Sequence, residues 1–157
     1  MMLIIAGALI IAGLAFYAGR LLFQVKAQQK KREQAQIQHE KNLAAHDVRV
    51  LDSVVIIVRA MKEEQCDISE GCWRLSVLLD SLKTSENLSL EFPAIFQLYQ
   101  RISHMPILEE RKKLAKKERM KLDLERTKIE NELYSDVFAN LDLLHNYAEE
   151  RLTALKQ

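Results

Sequence analysis

The sequence predicts an all-α protein in which one N-terminal transmembrane helix continues into a cytoplasmic helical bundle of about four helices, two long and two short. Three observations carry that expectation. Residues 1–19 contain no charged side chain. The 157 residues include only four glycines and two prolines, little material for hairpins, while the Ala, Leu, Glu, Lys and Gln content favours helix. Beyond Ile37 the apolar residues recur at helical steps, the mark of one packed helix face.

A helix over residues 3–23 would be about 31 Å long and match a hydrocarbon layer of ~30 Å. Its one charge, Arg20, lies near enough to the end to snorkel to the headgroups. A secretory signal has positive charge ahead of its apolar run, and here the order is reversed. Arg20, Lys26, Lys30, Lys31 and Arg32 follow the run, and no acidic residue precedes Glu33. That cluster is expected on the cytoplasmic side against the lipid surface. Tyr17-Ala18-Gly19 is a poor processing site, so the run reads as a retained anchor with the tail, residues 26–157, in the cytoplasm. The expected organisation is an anchor over residues 1–25, a basic polar stalk over 26–45, and the bundle over 46–157. Ala8, Ala12, Ala15 and Gly19 form a stripe of small residues where a second span could approach, although Ala and Gly are common in spans anyway.

The whole chain carries +1. Residues 1–32 hold five basic and no acidic groups, leaving 18 basic against 22 acidic, or −4, in the remainder. Overall charge therefore gives no push towards nucleic acid. Cys66 and Cys72 are too few for a disulfide framework and are expected to be reduced. A C-x5-C pair without accompanying histidines is not a zinc pattern.

The stalk contains no Gly or Pro, so the first helix is expected to run on through it. Ile37, Ala44, Val48, Leu51, Val55 and Val58 then form a packing face; Val54–Val58 alone also fits a strand, but the flanking charges keep helical rhythm. Asp67 suits a helix N-cap with Glu70 completing a capping box. The second helix carries Ile68, Cys72, Leu75, Leu79 and Leu82, broadened by Trp73 and Val77, and Gly71 within it marks a close helix approach. After a polar joint at residues 83–87, Pro93 opens a short helix over 93–103 that offers Ile95, Phe96, Leu98, Tyr99 and Ile102 to the core. His104-Met105-Pro106 breaks it, with His104 placed to cap its last carbonyls.

Residues 107–155 lack Gly and Pro. Leu122, Ile129, Leu133, Val137, Leu141, Leu144, Ala148, Leu152 and Leu155 form its packing face. One straight helix here would run about 73 Å, longer than the two short helices can cover. It is expected either to break near residues 113–117 or to pair, over 120–155, with the equally long first helix. Up-and-down alternation would carry the basic stretch 111–121 away from the bilayer.

Asp67-Ile68-Ser69-Glu70-Gly71-Cys72-Trp73-Arg74-Leu75, Phe92-Pro93-Ala94, His104-Met105-Pro106 and Lys117-Glu118-Arg119-Met120-Lys121-Leu122-Asp123 resemble a family of uncharacterised gammaproteobacterial proteins with a domain of unknown function behind a single N-terminal span. The resemblance covers most of residues 20–145. It implies a bacterial inner-membrane setting and supplies no reaction, ligand or catalytic residue.

No phosphate-binding loop, nucleophile elbow, H-E-x-x-H pair or paired C-x-x-C occurs, and no catalytic, cofactor or metal residue is assigned. His39 and His46, with Glu40 and Asp47 beside them, lack a third ligand and read as solvated stalk residues. Lys112, Lys113, Lys116, Lys117, Arg119 and Lys121 are the candidate partner-binding residues, within a stretch (109–121) of seven basic and three acidic groups. The leading expectation is a membrane-anchored scaffold or adaptor that binds a protein partner and dimerises through span and stalk. The alternative is a tethered binder of RNA or acidic surfaces through the basic run, although no aromatic residue is interleaved there for base stacking.

Overall fold

The structure is a computed structural model that describes residues 1–85 and 87–156, with side chains described at residues 1, 20, 21, 24, 26, 28–85 and 87–156. Among the described residues there are five helices and no strand: α1 (Met2–Lys62), α2 (Ile68–Ser81), α3 (Pro93–Ile102), α4 (Leu108–Lys113) and α5 (Lys116–Leu155). The all-α expectation holds, with three short helices rather than two. Two compact units divide the chain, Met1–Asn42 and Leu43–Gln157.

In the first unit Arg20, Lys26, Lys30, Lys31 and Arg32 are exposed. Among the described residues no helix is long and apolar enough to cross a membrane. The expected span over residues 3–23 lies, apart from Arg20 and Leu21, outside the described side chains, and so does the stripe of Ala8, Ala12, Ala15 and Gly19.

The second unit is an up-and-down bundle of the end of α1 with α2, α3 and α5. Asp52 to Lys156 at 3.4 Å and Lys62 to Asp142 at 2.6 Å set α1 antiparallel to α5. Ala94 N–H donates to Asn140 Oδ1 at 2.9 Å and Arg101 pairs with Glu132 at 2.7 Å, so α3 is antiparallel to α5 as well. The core between them is built from Leu51, Val54 and Val58 of α1, Cys72, Leu75 and Leu79 of α2, Ile95 and Leu98 of α3, and Val137, Leu141, Leu144 and Ala148 of α5.

On α5 the buried residues are those expected from Ile129 to Leu152, with Leu122 and Leu155 half-buried. On α1 the face is turned by about one residue: Asp47, Val50, Leu51, Val54, Val58 and Met61 are buried, Val48 and Val55 only partly, and Ile37 is 47% exposed. The strand alternative for Val54–Val58 is excluded by α1 itself. On α2, Val77 is 52% exposed and Ser76 takes the buried place instead, its hydroxyl donating to Trp73 O.

Two expected caps are made differently. Asp67 is the N-cap of α2 but its side chain makes no cap hydrogen bond, and Glu70 pairs with Arg74 instead. His104 lies 3.9 Å from Glu125 of α5, while Ser103 closes α3. The helix over residues 107–155 both breaks and pairs. Leu114 and Ala115 are extended, and Ala115 N–H is taken by Glu118 Oε2 at 3.3 Å. A continuous helix would stack Lys112 on Lys116 and Lys113 on Lys117, like charges that oppose it. It would also hold Arg111 and Asp123 about 18 Å apart along the axis, whereas the break lets them meet at 2.7 Å.

Asp47 is fully buried in the α1 face. Its carboxylate accepts from Lys83 N–H, Thr84 N–H and the Thr84 hydroxyl at 2.6–2.9 Å, and His46 Nδ1 stands 3.1 Å away. Burial pushes its pKa up, but the hydrogen bonds from Thr84, Lys83 and His46 more than offset this and hold it below 3.8. A folded-state pKa below the unfolded value stabilises the fold above pH 3.8, an advantage lost as pH falls through the folded value. Asp47→Ala is expected to cost about 3 kcal/mol in urea unfolding and Asp47→Asn about 1–2 kcal/mol. The gap between wild type and Asp47→Asn should close as the pH is lowered below 3.8.

At Gly71 the Met61 side chain of α1 packs directly against α2. A Cβ there would lie 2.2 Å from Met61 Sδ and 2.6 Å from its Cγ. The approach expected from Gly71 is therefore real. Gly71→Ala gains about 1 kcal/mol of helix propensity but forces the buried Met61 aside, for a net loss of about 1 kcal/mol. In a double-mutant cycle by urea unfolding, Gly71→Ala should cost less in a Met61→Ala background.

Candidate functional site

A concavity of about 450 Å3 in the second unit is a groove at the end of the bundle where α2 begins and α3 ends. Its floor is Trp73 of α2, Ile102 of α3, Met105 and Pro106 of the following joint, and Leu122 of α5. Ile107 and Leu108 form one lip, exposed by 50% and 78%. Trp73 is held by an edge-on contact with Tyr99 of α3, the ring centroids 5.3 Å apart.

Local sequence explains why a groove opens here. Pro106 disfavours helix at Met105 and removes a donor, so α3 cannot run into α4. Leu108, at the start of α4, adopts the left-handed region with φ 47°, a conformation that costs a branched side chain about 1–2 kcal/mol. The joint and α4 stand against the first turns of α5, where Arg111 grips Asp123 through two parallel bonds of 2.7 and 2.8 Å. That hydrogen-bonded pair holds the Asp123 carboxyl below its ordinary value despite desolvation, with Arg126 and Arg119 adding to the effect.

The rim is rich in arginine. Arg74 pairs with Glu70 at 2.6 Å. Arg126 lies 3.6 Å from Glu130, beyond hydrogen-bond reach, while Glu130 accepts from the Ser69 hydroxyl. Among the described residues Nε of Arg119 and of Arg126 finds no hydrogen-bond partner.

None of the six candidate partner-binding residues lines this groove, and the break at Leu114 and Ala115 divides them between two helices. Lys112 and Lys113 end α4; Lys116, Lys117, Arg119 and Lys121 open α5. Lys112 pairs with Glu109 at 2.6 Å and Arg119 is half-buried. Lys113, Lys116, Lys117 and Lys121 are exposed, with no carboxylate partner among the described residues. On α5 they share a face with Met120 and Leu124, exposed by 56% and 68%.

Sequence reasoning missed the groove. Trp73 reads as core, and Ile107 and Leu108 belong to no helical stripe. Two large apolar residues directly after a helix-breaking proline were the available signal.

His39 is exposed, whereas His46 is tied to the buried Asp47. Among the described residues no three His, Cys, Asp or Glu side chains gather as metal ligands would. Cys66 and Cys72 are both free thiols. Burial, reinforced by Cys66 and Glu130, pushes the Cys72 thiol up to about 12; burial and Glu70 also raise Cys66. A thiol reagent at neutral pH should label the half-buried Cys66 slowly and Cys72 only in denaturant, counted by mass. Two labels at equal rate on the folded chain would contradict this packing.

The bundle and groove define a class: an all-helical domain with an open, apolar concavity among whose lining residues are Arg74, Arg111 and Arg126. The chain belongs to the family described as "Protein of unknown function (DUF2489)", which matches residues 11–144. It is similar to an uncharacterised protein of Haemophilus influenzae, 38% identical over 135 residues and 86% of each chain. No solved structure matches.

Proposed function

We propose that the chain is a membrane-anchored helical adaptor of the bacterial inner membrane, with its bundle in the cytoplasm and a protein partner bound at the groove. The observation that carries this reading is the groove itself: an apolar floor and lip left open at the surface, larger than the scattered apolar residues any surface shows. The anchor rests on the uncharged run over residues 1–19, and the orientation on the basic cluster Arg20, Lys26, Lys30, Lys31 and Arg32 behind it, which favours the cytoplasmic, anionic leaflet. Ala8, Ala12, Ala15 and Gly19 would bring two spans together in a dimer.

RNA binding through the basic run receives less support. Its residues lie on two helices with a break between them, without the continuous aromatic-bearing face on which bases stack.

Two measurements test the proposal. The full chain should remain with the inner membrane after carbonate washing, and an impermeant thiol reagent applied to intact cells should fail to reach Cys66. A photo-crosslinking residue at Ile107 should give a discrete protein adduct in living cells, while one at Leu90, 80% exposed at the opposite end of the bundle, should not. A soluble chain, or equal adducts at both positions, would overturn it.

A further inference from the structure

We infer that residues 107–115, the wall of the groove that carries Ile107 and Leu108, form a hinged flap, latched shut by Arg111 on Asp123 and able to unwind and widen the groove above Trp73 and Leu122. The inference rests on the reading above only for what such a flap would control. Its test needs no partner.

Extended backbone bounds the flap at both ends. Ile107, directly after Pro106, has φ −116° and ψ 168°, and Leu114 and Ala115 have ψ of 147° and 150°. Torsions can change there without disturbing α3, which Ser103 closes, or α5, whose first turn keeps its own cap through Glu118 Oε2 on Ala115 N–H. Between these joints α4 buries no side chain. Among the described residues the Arg111–Asp123 fork is the one ion pair or hydrogen bond that joins residues 107–114 to the rest of the chain.

Three effects set that latch close to release. The side chains of Arg111 and Asp123 are 39% and 40% exposed, so water screens their attraction. Arg126 and Arg119 lie near enough to Asp123 to act on its carboxyl as well, and as like charges they repel Arg111. Leu108 is held at φ 47° with its side chain 78% exposed, a strain that no burial offsets and that disappears when the segment lets go. A helix of six residues does not persist away from its support, so release and unwinding are one event, a switch of a segment between order and disorder.

Hydrogen exchange of the full chain in phosphatidylcholine nanodiscs, read by mass on peptides covering residues 109–114 and 137–144, tests this. The flap amides should exchange through an opening that mild urea hardly changes, whereas the α5 core exchanges only by global unfolding. Arg111→Gln should speed the flap about threefold. Leu108→Gly should slow it about threefold, the reverse of glycine's usual loosening, because glycine accepts the left-handed region freely. Core exchange should be the same in both variants. Trp73, the single tryptophan of the chain, should become easier to quench with acrylamide in Arg111→Gln.

Four results would overturn the inference: flap amides that exchange together with the core, an unchanged rate in Arg111→Gln, faster exchange in Leu108→Gly, or unchanged quenching of Trp73. Should the flap behave as expected while Ile107 gives no adduct in cells, the flap stands and the partner reading fails. Should Ile107 crosslink while the flap exchanges with the core, the partner reading stands and the wall is rigid.

Discussion

A carboxylate with no exposure to water holds together the end of the bundle where the fold would otherwise be loosest. After α2 the chain must reverse direction through a polar joint, in which the amides of Lys83 and Thr84 meet no backbone carbonyl among the described residues. Asp47, four residues before Leu51 on the packing face of α1, accepts from both amides and from the Thr84 hydroxyl. Arg151 of α5 donates to Thr84 O from the other side, and Ser85 meets the Tyr147 hydroxyl at 2.9 Å. Three segments remote in sequence are thus fixed at one point. Burying a charge costs several kcal/mol unless its lone pairs are filled, and here the donors are present.

The other constraint is the length of α5, which offers every short element a place to attach. Asn140 supplies the acceptor that Phe92, the N-cap of α3, does not provide for Ala94 N–H. Glu132 holds Arg101 at the far end of α3, Glu130 accepts from Ser69 at the start of α2, and Asp123 grips Arg111 of α4. These polar contacts are modest in energy where exposed. Their effect is register: with α5 fixed, α3 cannot slide, and the apolar residues of α2 and α3 meet in one arrangement.

Much of this was legible in the chain. The α5 face from Ile129 to Leu152 could be read residue by residue because a long element with a wide apolar stripe leaves one solution for burial. Pro93 and Gly71 also declared their roles, a helix start and a close approach. The α1 face was misread by one position because a buried Asp does not count as apolar, so the stripe was fitted through Val48 and Val55 instead of Asp47 and Val54. The Glu70 capping box failed for a local reason, since Arg74 one turn on competes for the same carboxylate. Of the groove only the lip left a local signal, Ile107 and Leu108 after Pro106; Trp73, Met105, Leu108 and Leu122 come from four segments that only tertiary packing brings together.

The break at Leu114 and Ala115 shapes this end of the bundle. Had α4 and α5 formed one helix, Arg111 would point along the rod and the joint over residues 103–107 would have nothing to lean on. The break costs two residues of helix and swings α4 alongside α5, where the Arg111–Asp123 fork secures it. That swing sets Ile107 and Leu108 at the lip of the groove. Strain, exposed apolar surface and unpaired charge each disfavour the isolated chain, and all three occur within about fifteen residues.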